Sequence, residues 1–188
     1  MISRGFVSIC QFAGCLVFVM ALAAPPVWGE TPPAAPVPET NAPNIGVSGL
    51  PLPRFVSITS ARVNLRVGPG RQYPISWILQ RRHLPVEVIG EFEHWRRIRE
   101  QSGDTGWVHK TMLSGRRTGM VISQSKTGDL IPAYASPGPG KPVLMTENGA
   151  IGELTECRQE WCHISFKKGS GWILRDNLWG AYPTEEFD

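Results

Sequence analysis

The sequence is short of charge, of cysteine and of catalytic motifs. Only 19% of its 188 residues are charged, and its formal net charge is +3. Apolar residues at helical spacing are missing too. With 20 Gly and 17 Pro, the composition argues for many short strands joined by turns. There is no Gly-x-Ser-x-Gly elbow, no phosphate loop and no zinc-binding His-Glu pair. The histidines His83, His94, His109 and His163 are scattered over different turns and strands. Glu91 and Glu93, the nearest approach to a carboxylate pair, sit in a turn beside Arg96 and Arg97 and read as solvated charge. The sequence therefore predicts a protein without enzymatic activity, cofactor or metal.

Two of the four cysteines, Cys10 and Cys15, lie in an apolar run at the amino-terminal end. Arg4 followed by the apolar stretch Phe6 to Ala24 has the layout of an export signal. Cleavage is expected after Gly29, or alternatively after Ala23, which makes residues 1–29 a signal peptide and places the mature protein in the periplasm. The other reading is an uncleaved anchor, since about 20 apolar residues span a bilayer. Phe12-Ala13-Gly14-Cys15 is a poor lipoprotein box, with Phe at the usual Leu position. Residues 30–53 are dense in proline, including Pro32, Pro33, Pro36, Pro38, Pro43, Pro51 and Pro53, and read as a disordered linker.

What remains is organised around Asn64 to Pro74. Val63-Asn64-Leu65-Arg66-Val67 alternates apolar and polar residues, the mark of a half-buried strand, and Gly68-Pro69-Gly70 then turns the chain. Further short strands are expected at Leu84–Ile89, Trp95–Arg99 and Gly106–His109, a single 3₁₀ turn at Thr111–Leu113, and a closing strand at Arg117–Ile122. Short strands this close together indicate a small antiparallel barrel. The pattern then recurs. Ala133 to Val143 aligns without gaps onto Leu65 to Ile75, Trp161 matches Trp95, Gly171-Trp172-Ile173 matches Gly106-Trp107-Val108, and Leu178-Trp179-Gly180 matches Leu113-Ser114-Gly115. A period of this kind means one fold written twice, with domains at 54–122 and 129–184 and a short joint at Ser123–Gly128.

The Asn-Leu-Arg-x-Gly-Pro run of residues 64–69, the later Trp95 and the Gly-Trp-Val of residues 106–108 resemble bacterial SH3 domains. The ending Leu178 to Pro183 is similar to an exported tandem subgroup of Gram-negative bacteria. The resemblance covers Arg54 to Pro183 and departs in the second repeat, where Ala133-Tyr134 replaces Leu-Arg. It implies two tandem SH3-like β-barrels in an all-β protein, and a binding role toward cell-wall peptidoglycan or partner peptides.

Cys157 and Cys162 flank Arg158-Gln159-Glu160-Trp161. A two-residue hairpin turn at Gln159-Glu160 makes them face each other at a non-hydrogen-bonded site, close enough for a disulfide. Glu91 and Arg96 occupy the matching places in the first repeat and are expected to pair there. A metal site built from Cys157, Cys162 and His163 fails, because Cys162 and His163 point to opposite sheet faces.

The candidate ligand-binding residues are Arg66, Tyr73, Trp77 and Trp95, an aromatic and basic group near the first loop suited to an extended peptide or glycan strand. Tyr73 and Trp95 are equally readable as packing, whereas Trp107 and Trp172 read as core. The partner is expected to be peptidoglycan, or in the alternative a periplasmic protein or peptide met by an adaptor without wall binding. Basic residues beside aromatics also suit nucleic acid, but an export signal argues against it. The membrane enters only through an uncleaved signal. Residues 54–115 carry ten Arg and Lys against five acids, and residues 129–188 five against nine. Such halves either attract each other or carry ordinary solvated surface.

Overall fold

A computed structural model describes residues 44–123 and 129–188. The expected signal, with Cys10 and Cys15, most of the proline-rich segment and residues 124–128 of the joint lie outside the described residues. Among the described residues, sixteen strands run in chain order: β1 Asn44–Ile45, β2 Pro51–Leu52, β3 Arg54–Ile58, β4 Val63–Arg66, β5 Ile75–Leu79, β6 Pro85–Phe92, β7 Trp95–Arg99, β8 Thr105–His109, β9 Leu113–Ser114, β10 Thr118–Val121, β11 Ile131–Tyr134, β12 Pro142–Thr146, β13 Ile151–Arg158, β14 Trp161–Phe166, β15 Gly169–Leu174 and β16 Leu178–Trp179. Short 3₁₀ turns at Lys110–Met112 and Arg175–Asn177 precede β9 and β16. The protein is all-β, as its composition requires.

Apart from the β1–β2 hairpin, the strands form two seven-stranded antiparallel sheets, ordered β5-β4-β8-β7-β6-β3-β9 and β12-β11-β15-β14-β13-β10-β16. Each strand of one sheet has its counterpart at the same place in the other. The hydrogen-bond order of each sheet is open, yet the first is curled. Leu79 on β5 and Leu113 on β9, from opposite edges, pack into one core with Val63, Leu65, Val86, Val88, Ile98 and Val108. The second sheet encloses its own core around Val121, Leu154, Cys157, Cys162, Ile164 and Ile173.

The alternation read in β4 is what positions this core. Val63 and Leu65 are buried while Asn64 is exposed. In the Gly-Trp-Val of β8, Gly106 and Val108 face inward and Trp107 lies half-buried on the outer surface. A Cβ on Gly106 would stand 2.4 Å from Cγ of Leu65, so the glycine makes room for the leucine across the sheet. Gly171 does the same against Ala133, whose Cβ would be 2.9 Å away. This overturns the expectation that Trp107 and Trp172 are core. The strand period of two puts them outside once Val108 and Ile173 point in.

Three further expectations are corrected. The segment ending at Pro53 is not linker throughout. Gly46, Ser48 and Gly49 turn the chain so that β1 and β2 pair, and Ser48 donates from both its backbone N–H and its hydroxyl to Glu91, at 2.8 Å each. The strand expected to close the first repeat belongs to the second sheet. Thr118–Val121 pairs with β13 and β16, as β3 pairs with β6 and β9, and all four of its residues are buried there. The loop alignment slips by one. Arg66 faces Ile75 but Tyr134 faces Pro142 rather than Val143, so the second loop is one residue shorter.

The repeats meet along a seam. Phe55 of β3 packs edge-on against Trp179, centroids 5.0 Å apart, and tilted against Tyr182 at 4.7 Å. Nε1 of Trp179 donates to the Pro85 carbonyl at 3.1 Å, and Oγ1 of Thr118 to the His83 carbonyl at 2.9 Å. Nη2 of Arg81 donates to the Gly149 carbonyl at 2.8 Å. The halves do dock, and these contacts rest on aromatic packing and directed hydrogen bonds rather than on their difference in charge.

Among the described residues, β5 and β12 each pair on one side only and leave the other edge free. On β5, Ile75 is 45% and Trp77 65% exposed; on β12, Val143 is 56% and Met145 48% exposed.

Candidate functional site

The outer face of the first sheet is set by register. Arg66 stands opposite Trp107, Trp107 opposite Arg97, and Trp95 opposite His109. Opposite residues share a face in an antiparallel pair, so these five side chains form one surface. At its upper end Arg66 and Trp95 line a shallow pocket of about 280 Å³ with Arg62, Asn64, Arg71 and His109.

Of the four residues singled out from sequence, Arg66 and Trp95 come together in this pocket. Tyr73 sits at its border. Its carbonyl accepts from Nη1 of Arg66 at 2.7 Å, which anchors the guanidinium to the loop. Its ring covers Gly68, where a Cβ would come within 2.5 Å of Cδ1, so Tyr73 mainly packs its own turn. Trp77 lies on β5 opposite Leu65, outside the pocket.

Sequence reasoning missed His109, Arg62 and Arg71. His109 stands one register step beyond Gly-Trp-Val and caps the following 3₁₀ turn. Its Nδ1 accepts from the Thr111 N–H at 3.4 Å, and Thr111 Oγ1 lies 2.9 Å from the same nitrogen. That pattern puts the ring proton on Nε2. The ring meets Trp95 edge-on at 5.5 Å. Burial lowers the His109 pKa, and the charges of His94, Arg71, Lys110 and Arg96 lower it further. The imidazole is therefore a neutral donor at neutral pH. Arg62 and Arg71 have no acidic partner among the described residues. The pocket thus pairs a flat aromatic wall with cations and one neutral N–H donor, a set suited to a carboxylate beside an apolar group.

The corresponding face of the second sheet has different chemistry. Tyr134 takes the place of Arg66, Trp161 that of Trp95 and Leu174 that of His109. Tyr134 meets Trp161 edge-on at 5.6 Å, filling the space that Arg66 borders in the first repeat. The cations are gone from these positions, so the two faces are not interchangeable.

The hairpins below these faces carry the two cross-strand pairs read from sequence. Cys157 stands opposite Cys162, with Arg158 opposite Trp161, and the two cysteines form a disulfide with Cα atoms 4.1 Å apart. Glu91 stands opposite Arg96. Here the pair is buried rather than exposed, the Glu91 side chain being 1% accessible, and Arg54 joins it at 2.7 Å. Burial pushes the Glu91 carboxyl up, but hydrogen bonds from Ser48 and Arg54 and the charge of Arg96 outweigh it and hold it below the ordinary value.

No curated protein matches the chain. Among solved structures it is similar to NlpC2 from Trichomonas vaginalis, at 13% identity over 71% of this chain and 50% of that one, with a TM-score of 0.32. It is also similar to NlpC1 from Trichomonas vaginalis, at 14% identity over 71% of this chain and 48% of that one, with a TM-score of 0.29. The chain spans about half the length of each, and likeness at these scores carries no argument. The model of the bacterial SH3 domain matches twice, over residues 59–115 and 127–180. These two matches fall on the two sheets with the same strand order and together take in more than half of the sequence: the chain belongs to the bacterial SH3 domain family, as a tandem pair.

Proposed function

We propose that this is a non-enzymatic binding module, exported to the periplasm, whose first repeat takes the peptide portion of cell-wall peptidoglycan. The observation that carries this reading is the pocket at Arg66, Trp95 and His109. Arg62, Arg66 and Arg71 supply positive charge, no acid among the described residues lines the pocket, and Trp95 offers a flat apolar wall. An extended peptide bearing carboxylates next to small apolar side chains meets each of those groups. The absence of a nucleophile constellation from the sequence supports a binding role over a hydrolytic one.

The test is retention of the purified protein on isolated sacculi. Wild-type protein is expected in the pellet and Trp95→Ala, Arg66→Ala or Arg71→Ala protein in the supernatant, with binding weakening as salt rises. Retention unchanged in all three variants, or none for the wild type, overturns the assignment to this pocket. A zymogram with wall material should show no clearing.

A second reading, an adaptor for a periplasmic protein, draws on β5. Its outer edge is unpaired and Trp77 is 65% exposed beside it, features that fit strand addition by an extended partner segment. Periplasmic crosslinking from position 77 that captures a protein, together with absent wall retention, favours this reading.

A further inference from the structure

A second cleft, of about 690 Å³, opens at the seam between the repeats, away from the face described above. Its walls come from different parts of the chain. Arg82 and His83 belong to the connection between β5 and β6, Glu153 to β13, Phe166 to the end of β14, and Lys167 follows it. The seam holds these walls in place. The His83 carbonyl is fixed by Thr118, and Arg81, next to Arg82, is tied to the Gly149 carbonyl.

The charges in the cleft are unequally matched. Glu153 is held by Arg116 through two hydrogen bonds, Nε to Oε1 at 3.0 Å and Nη2 to Oε2 at 2.5 Å. That leaves the one acid of the lining neutralised. Arg82 and Lys167 have neither a hydrogen-bond nor an ionic partner among the described residues, and both are exposed. The half-buried ring of Phe166 adds an apolar patch to the same lining. Two unmatched cations from different repeats and an apolar ring lining one cleft, in a volume typical of small-ligand sites, call for an occupant with more than one negative group.

We propose that the inter-repeat cleft is a second binding site, for a short ligand carrying two anionic groups, one met by Arg82 and the other by Lys167, with its connecting atoms over Phe166. Carboxylate and phosphate both offer the geometry that guanidinium and ammonium groups accept. The site depends on both repeats being present and docked, since neither supplies both cations.

Isothermal titration calorimetry on the full chain tests this with two probes, N-acetyl-Glu-Glu and inorganic pyrophosphate. Saturable binding of either probe at one site per chain is expected, and the probe that binds assigns the anion as carboxylate or phosphate. The double variant Arg82→Gln/Lys167→Gln should weaken that binding at least about tenfold, as loss of hydrogen bonds to charged groups implies. Both residues are exposed and unpartnered, so the melting temperature of the variant should stay at the wild-type value, which separates lost binding from lost fold. Trp95→Ala should leave binding in the cleft unchanged. No heat with either probe, or equal affinity in the double variant, overturns the proposal; binding abolished by Trp95→Ala instead assigns the probe to the first-repeat pocket and overturns it as well.

Discussion

The phenol of Tyr182 donates to Oε1 of Glu87 at 2.9 Å, joining positions 95 residues apart in the chain. Glu87 is almost fully buried and is also held by Arg99, through Nε at 2.8 Å. One carboxylate at the seam therefore receives a bond from each repeat.

Loss of that bond should be measurable. Tyr182→Phe keeps the ring against Phe55 and removes only the hydroxyl, so a loss of about 1–2 kcal/mol is expected in urea unfolding. Burial first, and then the bond to Glu87 and its charge, raise the Tyr182 pKa far above its ordinary value of 10.0. A raised pKa favours the protonated, folded form. Its stabilisation is complete below pH 10 and is lost as pH climbs from there toward the folded value. Wild type should lose stability above about pH 10 with a steeper slope than Tyr182→Phe, and parallel alkaline curves would disprove it.

Acid should act through different groups. The carboxyls of Glu91, Glu153 and Glu185 are all held below their ordinary value of 4.5. In Glu91 and Glu185 burial opposes the shift, and hydrogen bonds and nearby arginines outweigh it. In Glu153 the hydrogen bond from Arg116 leads. Lowered values favour the ionised, folded form, so this stability is present above about pH 4.5 and disappears as pH falls through the folded values. Glu100, raised by burial and by Asp104, works in the opposite direction and should soften the fall. Thermal melts between pH 7 and 3 provide the measurement.

Glu91→Ala should cost more than an exposed ion pair would. It strips the acid from Arg54 and Arg96, whose side chains are only 17% and 9% accessible. A loss of about 3 kcal/mol is expected, since a partly buried charge is left without its partner. A value under about 1 kcal/mol would place the pair among ordinary surface contacts.

The disulfide occupies the same register position but closes a loop of only five residues in separation. Chain-entropy reasoning gives about 2 kcal/mol for so short a loop. Reduction should lower the unfolding free energy by that amount and the unfolding midpoint with it. It should also loosen the carboxyl-terminal tail, because Cys157 N–H and C=O both bond to Phe187, at 2.8 and 3.2 Å. Amide exchange at Phe187 with and without reductant reads this directly.

Gly106→Ala forces a Cβ to within 2.4 Å of Leu65 and should destabilise by about 1–3 kcal/mol. Combining it with Leu65→Ala, the residue found at the matching place in the second repeat, should give a loss smaller than the sum of the two. Additive losses would show that the leucine is not what excludes the methyl group.

The sequence carried the fold well where local pattern decides it. Alternation in Val63 to Arg66, the hairpin about Gln159-Glu160 and the matching Gly106-Trp107-Val108 and Gly171-Trp172-Ile173 units all lie in the strands where their spacing puts them. What pattern alone does not carry is the allegiance of a strand between two equal repeats. Thr118–Val121 could complete either sheet, and it is settled by contacts with Ile151, Gly152 and Glu153, far along the chain. The candidate pocket was legible in part for the same reason. Arg66 and Trp95 announce themselves by chemistry, whereas His109 joins them only through the register of β7 with β8, and Arg71 only through the path of the loop. Tyr73 carries the right chemistry, but Gly68 beneath its ring gives it a packing role.

The free edges of β5 and β12 set a constraint on how concentrated this protein can become. Each leaves a line of backbone donors and acceptors that a neighbouring molecule's strand can copy, beside exposed Ile75, Trp77, Val143 and Met145. Pro142 opens one of these strands without an N–H, and Arg81 and Arg82 follow the other closely. A proline and charges at the ends of exposed strands disfavour strand-to-strand stacking, so substitutions that remove their ring or charge should lower solubility.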